Sequence, residues 1–189
     1  LLVSRAGKNL GVWAVGYATD ALEERPRIES LLEATGYVPV FVGTLAESSL
    51  LDPGGSVFPH LFTAGDLQHL AAVHRLPRML ERFNTGDMSE VLHDKVQWSF
   101  PYCPTLGVQE TFIGKEAVVD HLRRVRDSGV RISDIRTELE TPHGAVVHAE
   151  GVFPTSQGPI ASEIVSVVTM KGGLIGEVRE YWDTAAIKG

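Results

Sequence analysis

The chain has 189 residues, 43% of them hydrophobic and 22% charged, with 17 basic against 24 acidic side chains and a net charge of -7. That composition builds a folded core without disulfide or metal staples and supplies no concentrated basic surface for nucleic acid. The longest apolar stretch, Leu10 to Ala18, falls well short of the roughly 20 residues that span a bilayer, and no basic-then-apolar signal segment is present. Nucleic acid and membrane are therefore not expected partners, and a cytoplasmic protein is the expectation. Cys103 is the single cysteine, which excludes an intramolecular disulfide and a thiolate zinc cage and reads as an inert buried thiol. The chain begins Leu1-Leu2-Val3 rather than with Met, as a fragment or a chain without its leader would.

In chain order, Leu10 to Tyr17 reads as a strand covered on both faces. Asp20 to Thr35 follows with Ile28, Leu31 and Leu32 at helical spacing. Pro26 fits only the first turn, so the regular helix is expected from near Glu24 to Gly36. Val38 to Val42 is a second buried strand and Leu45 to Leu51 a short helix, which makes a βαβα fragment of parallel sheet.

The pattern then changes. Val73, Leu76, Leu80 and Phe83 form one helical stripe, with a kink or restart expected at Pro77 and an end at Asn84-Thr85-Gly86-Asp87. Met88 to Leu92 is expected as a short helix and Val96 to Phe100 as a strand. Lys115 to Asp127 is an amphipathic helix with Val118, Leu122 and Val125 inward; Asp120-His121 is placed on its solvated side, and Arg123 to Arg126 reads as a surface basic face. Four strands follow, near 131–140, 145–153, 160–170 and 174–182, with turns at Pro142-His143-Gly144, Ser156-Gln157-Gly158-Pro159 and Gly172-Gly173. Helices followed by a meander give an α+β fold, and the break in character divides the chain into 1–73 and 74–189.

The words Phe83-Asn84-Thr85-Gly86, Phe112-Ile113-Gly114-Lys115-Glu116-Ala117 and 173–183, together with the order of elements, resemble the SnoaL-like polyketide cyclases of the nuclear transport factor 2-like, ketosteroid isomerase-like superfamily. The resemblance runs from about His74 to the C-terminus. It implies a curved antiparallel sheet and helices forming a cone around an apolar pocket, a small hydrophobic ligand such as a polyketide or similar secondary metabolite, and superfamily members that include cyclases, isomerases, dehydratases, epoxide hydrolases and proteins with no activity. The N-terminal segment, through 36–43 and Leu45 to Leu51, is similar to the C-terminal part of NADP-dependent deazaflavin-coenzyme reductases. No Gly-rich strand-to-helix turn is present to cradle a pyrophosphate, so a structural remnant without a cofactor is expected; a working reductase would need its cofactor half upstream of Leu1.

Aligning the Arg-acid-aromatic-x-Asp ending with the cyclases places Glu180 at their final-strand acid/base position. Their histidine, fourteen residues upstream, is Ser166 here. The epoxide hydrolases' Arg-x-Asp corresponds to Glu150-Gly151-Val152, so that charge arrangement is absent. By residue parity, His148 and Glu150 are expected to face the pocket with Glu180 and to act as acid or polarising partners, since an imidazole and two carboxylates in an apolar cone shift one another's pKa values. Gln97 and Ser99 on the first strand of the cone, Tyr102 at its end, Ser166, and Trp182 are the expected ligand-binding residues. A strand glutamate is usually solvated, and a β-bulge would reverse the facing of any one of the three acid/base candidates. His69, His74, His93, His121 and His143 share no ligand spacing with an acid, so no metal and no cofactor are expected. Val165, Val167 and Tyr181 fall on the opposite face, where a second copy forming a homodimer is expected to cover them. The chemistry expected is cyclisation, isomerisation or water addition and elimination; a non-catalytic ligand-binding or dimerisation module is the alternative.

Overall fold

The computed structural model describes residues 13–58, 60–107, 109–141 and 143–184. The chain forms two compact units that divide between Arg75 and Leu76. In the first, β1 (Ala14–Ala18) and β2 (Val38–Gly43) pair in parallel on either side of α1 (Arg25–Glu33). Of the strand expected over Leu10 to Tyr17, residues 10–12 lie outside the described part. Pro26 occupies the first turn of α1, and the chain leaves the helix through Gly36 at φ 85°, a conformation that only glycine adopts without strain. Leu45–Leu51 is 3-10 rather than α, entered through a capping box in which the Glu47 carboxylate accepts the Thr44 N–H at 2.9 Å. Val40, Val42, Leu50, Leu67 and Ala71 form the core of this unit.

α2 (Ala64–Thr85) starts earlier than its apolar stripe predicts and runs through Pro77 without a break. At its end Gly86 turns left-handed with φ 84°, its N–H bonded to the Arg82 carbonyl at 2.9 Å. The neighbouring Asn84 amide mimics a strand: Nδ2 donates to Ile132 O at 2.7 Å and Oδ1 accepts Ile132 N–H at 3.0 Å, which ties the helix end to the sheet. No helix forms over Met88 to Leu92. Val91 instead gives its carbonyl to the Ile175 N–H at 2.9 Å, so pairing with the last strand overrides local preference. Consequently β3 (Leu92–Ser99) begins four residues earlier than expected; the exposed Asp94 and Lys95 hide its first half. A three-residue β4 (Thr111–Ile113) and then α3 (Lys115–Asp127) follow.

β5 (Arg131–Thr141), β6 (Gly144–Thr155), β7 (Gly158–Lys171) and β8 (Leu174–Trp182) complete a curved, open six-stranded sheet in the order β4-β3-β8-β7-β6-β5. The α+β class holds, with one parallel pair, β3 beside β8, in an otherwise antiparallel sheet. Val165 and Val167 lie on its outer face, 38% and 41% exposed in the single chain.

Register decides what faces inward. Residues directly opposite in a ladder point to the same side. Ser166 stands opposite both Val147 and Glu180, and Ile164 opposite both Ala149 and Trp182. The inward set is therefore odd on β6 and even on β7. A uniform β7–β8 register continued from Lys171 opposite Leu174 and Met170 opposite Ile175 would turn Arg179 inward. Instead the register slips by one between Thr169 and Met170, with Gly176 as the extra residue, so Val178, Glu180 and Trp182 face inward. A Cβ at Gly176 would lie 2.9 Å from the Lys171 Cβ, which favours glycine at the bulge.

Deleting Gly176 restores the uninterrupted register and forces Arg179 into the apolar interior. Its expected effect, read by urea unfolding, is a loss of at least about 3 kcal/mol. Gly176→Ala, which keeps the residue count, is expected to cost less, about 1–2 kcal/mol for crowding against Lys171. A deletion no worse than the alanine substitution would contradict this register.

Candidate active site

The inner face of the sheet and the facing helices enclose a cavity of about 220 Å³, roomier than the ~150 Å³ engineered cavity that admits benzene. α2 contributes Leu80 and Phe83, α3 contributes Leu122 and Val125, and the sheet supplies Trp98, Val147, Ala149, Phe153, Ile164 and Trp182. Phe153 and Trp182 stack with centroids 5.2 Å apart and form one aromatic wall. Ile132 and Ile135 both reach the cavity although they are three residues apart; the β5 register shifts between Ser133 and Arg136, where Asp134 adopts φ 47°.

Four side chains in this lining carry chemistry: Glu180, Ser166, His121 and Cys103. The Trp98 indole Nε1–H donates to Glu180 Oε2 at 3.3 Å. Burial pushes the Glu180 carboxyl up to about 7 against the opposing effect of that hydrogen bond, because an apolar wall solvates the charged form poorly. The imidazole of His121 stacks on Phe112 at 3.9 Å and lies 5.1 Å from Phe100. Burial, and then the charge of Arg124, lower it to about 4, so it is neutral at physiological pH and offers one donor and one acceptor nitrogen. Cys103 is pushed up to about 11 by burial and then by the charge of Glu180, which leaves a thiol rather than a nucleophilic thiolate. The arrangement can hold a small apolar molecule and exchange a proton with it near neutral pH.

Of the residues expected from sequence, Glu180, Ser166 and Trp182 line this cavity and five do not. His148 and Glu150 point to the outer face. His148 stands opposite Val165, its Nε2 lies 3.7 Å from Glu163 Oε1, and Glu150 is exposed opposite Glu163. Even parity does not carry from β8 across to β6. The turns at Thr155/Gly158 and Lys171/Leu174 each pair odd with even residues and cancel, so even parity would carry from β8 to β6 in regular strands; the extra residue at Gly176 breaks it and puts the odd residues of β6 on the side of Glu180. Gln97 and Ser99 are likewise on the outer face, opposite Glu177 and Arg179, and bond each other at 3.4 Å, while Trp98 between them takes the inner position. Tyr102 is 55% exposed and meets the outer-face Tyr181 edge to face, with centroids 5.8 Å apart.

His121, expected in solvent, is only 9% exposed. It sits three residues after Val118 and four before Val125, so the helical stripe already contained it; the polar ring concealed it. Trp98 alternates with Gln97 and Ser99 on β3 and so takes the inner face, with no sequence signal apart from its strand. Among the described residues, no group of three or more His, Cys, Asp or Glu side chains is arranged to hold a metal, and no helix is long and apolar enough to cross a membrane.

The family model described as the SnoaL-like domain matches residues 73–178. An uncharacterised PhzA/B-like protein of Pseudomonas aeruginosa is 30% identical over 115 residues, which is 59% of this chain and 80% of the relative. A putative isomerase of Bacillus subtilis is 15% identical with a TM-score of 0.52, covering 64% of this chain and 90% of its own. TerC, co-crystallised with polyporic acid, is 18% identical with a TM-score of 0.52, covering 65% of this chain and 99% of its own. At such identities the two structures share the fold with this chain, and the family match begins three residues before the second unit.

The raised carboxyl has a consequence for stability. Glu180 titrates near 4.5 when solvated and at about 7 in the folded chain, so folding favours its protonated form. The stability this contributes is complete below about pH 4.5 and is lost as pH rises through 7; the loss is on the order of 3 kcal/mol. Glu180→Gln has no such proton to lose. The unfolding free energy of the variant minus that of the wild type, measured in urea, should increase by that order between pH 5 and pH 8. His121, lowered in the fold, acts in the opposite sense as pH falls below about 6.5, and it cancels in the difference. A difference independent of pH would show that Glu180 is solvated.

Proposed function

The chain belongs to the SnoaL-like domain family, and from that membership we propose that it is an enzyme that moves a proton on a small, hydrophobic, oxygen-bearing molecule without a cofactor. The observation that carries this reading is a carboxyl in an apolar cavity with its titration raised to about 7. At neutral pH such a group is present both as base and as acid. Glu180 takes a proton from a carbon next to a carbonyl and returns it to another atom of the same molecule. Ser166, opposite it on β7, and the neutral imidazole of His121 offer hydrogen bonds to the ligand's oxygen as negative charge develops there. Phe153 and Trp182 supply the flat wall against which a ring system stacks.

An aromatic polyketide or a related secondary metabolite suits these walls, and the polyporic acid held by TerC is consistent with a ligand of that shape. Cyclisation, isomerisation and water addition or elimination all use this proton transfer. A non-catalytic binding module is the second reading. It is favoured by Ser166 at the position where the resembled cyclases carry histidine, since that substitution removes one of their two acid/base groups.

Mass spectrometry of a denatured extract identifies any molecule that co-purifies with the protein, and that molecule is then offered to wild type and variants. Glu180→Gln is expected to keep affinity while turnover falls by roughly 100-fold to 10,000-fold, and Asp183→Asn, at an exposed position after β8, to leave turnover nearly intact. Turnover unaffected by Glu180→Gln would eliminate the mechanism. Binding without turnover in the wild type would favour the module.

A further inference from the structure

We propose that Trp98 is the positioning residue of this site: its indole N–H holds Glu180 Oε2 and leaves Oε1 as the oxygen that exchanges the proton. The inference rests on Glu180 being the proton-transfer group and adds how that group is aimed. Trp98 is 4% exposed and stands opposite Val178 in the parallel β3–β8 ladder. Both face inward, and Glu180 is the next inward residue on β8. The indole thus reaches the carboxyl across one ladder step, at 3.3 Å. Phe112, opposite Trp98 on β4, and His121 stacked on Phe112 back this part of the sheet, so the donor sits on a packed element rather than a loop.

The titratable groups that share the lining with Glu180 are Cys103, from the turn after β3, and His121, from α3. Among the described lining residues α2, β5, β6 and β7 contribute none. Cys103 is held as a thiol and His121 as a neutral ring, so neither brings a positive charge to the carboxylate at neutral pH. The indole is the hydrogen-bond donor to the ionised form. Its consequences are twofold. It fixes the plane of the carboxyl, so one oxygen is presented to the cavity, and it keeps the ionised form from becoming still rarer. Without it the balance at neutral pH would move further toward the protonated acid.

Two measurements test this without substrate or turnover. In the wild type, the Trp98 indole N–H resonance, assigned by its loss in Trp98→Phe, should shift with pH at the same midpoint as the Glu180 carboxyl carbon, and Glu180→Gln should abolish that shift. Trp98→benzothienylalanine keeps the ring volume and replaces N–H by sulfur. In that variant the acid dissociation constant of Glu180 should fall about threefold or more, moving its midpoint upward. An indole resonance indifferent to the Glu180 midpoint overturns the proposal, even if the analogue fails to fold. An unchanged or lowered midpoint in a folded analogue overturns it as well. Neither result touches the reading of Glu180 as a base, which stands or falls on turnover.

Discussion

Desolvation of one carboxyl is the constraint on which the site depends. A glutamate surrounded by aromatic and aliphatic walls cannot ionise at its ordinary pKa, and neither His121 nor Cys103 offers it a positive charge at neutral pH. The result is a group near its midpoint at neutral pH. Such a group destabilises the folded chain above that pH, and the core has to absorb the loss. Sites that place strain of this kind in the middle of a well-packed interior generally do so for chemistry.

The architecture converts that constraint into direction. A uniform continuation of the β7–β8 register would send Arg179 inward, and the single extra residue at Gly176 sends Glu180 there instead. The parallel pairing of β3 beside β8 then brings Trp98 within reach of the carboxyl. Beside Trp98, α3 sets His121 against Phe112, and α2 is pinned to β5 by the Asn84 amide. Each of these arrangements is a backbone decision. Bulge, register and helix end place the polar groups, and the apolar walls follow from ordinary amphipathic pattern.

Much of this was legible in the chain itself. The amphipathic stripe of α3, the Gly-marked turns of the meander and the 3.6-residue spacing of α2 announce their elements because apolar periodicity is a local property. Glu180, Ser166 and Trp182 line the cavity; the sequence points to Glu180 through a resembled family's ending, to Ser166 through that family's histidine position, and to Trp182 through its sharing a strand face with Glu180. His148, Glu150, Gln97 and Ser99 take the outer face, against the parity expectation, because parity is conserved within a strand but not across a bulge, and the register that links strands is a tertiary quantity. Met88 to Leu92 failed as a helix for a related reason: the ladder with β8 outweighs local propensity there. His121 was recoverable, since its position in the stripe was apolar in spacing although polar in type.

The central claim is that Glu180 is a desolvated carboxyl poised between its two protonation states at neutral pH. Infrared difference spectroscopy reads this directly. The carbonyl stretch of a protonated carboxyl, assigned by its loss in Glu180→Gln, is followed as pH is raised from about 4 to about 9. The account predicts that the band disappears with a midpoint near 7, the value to which burial raises this group. A midpoint near 4.5, that of a solvated glutamate, would contradict it.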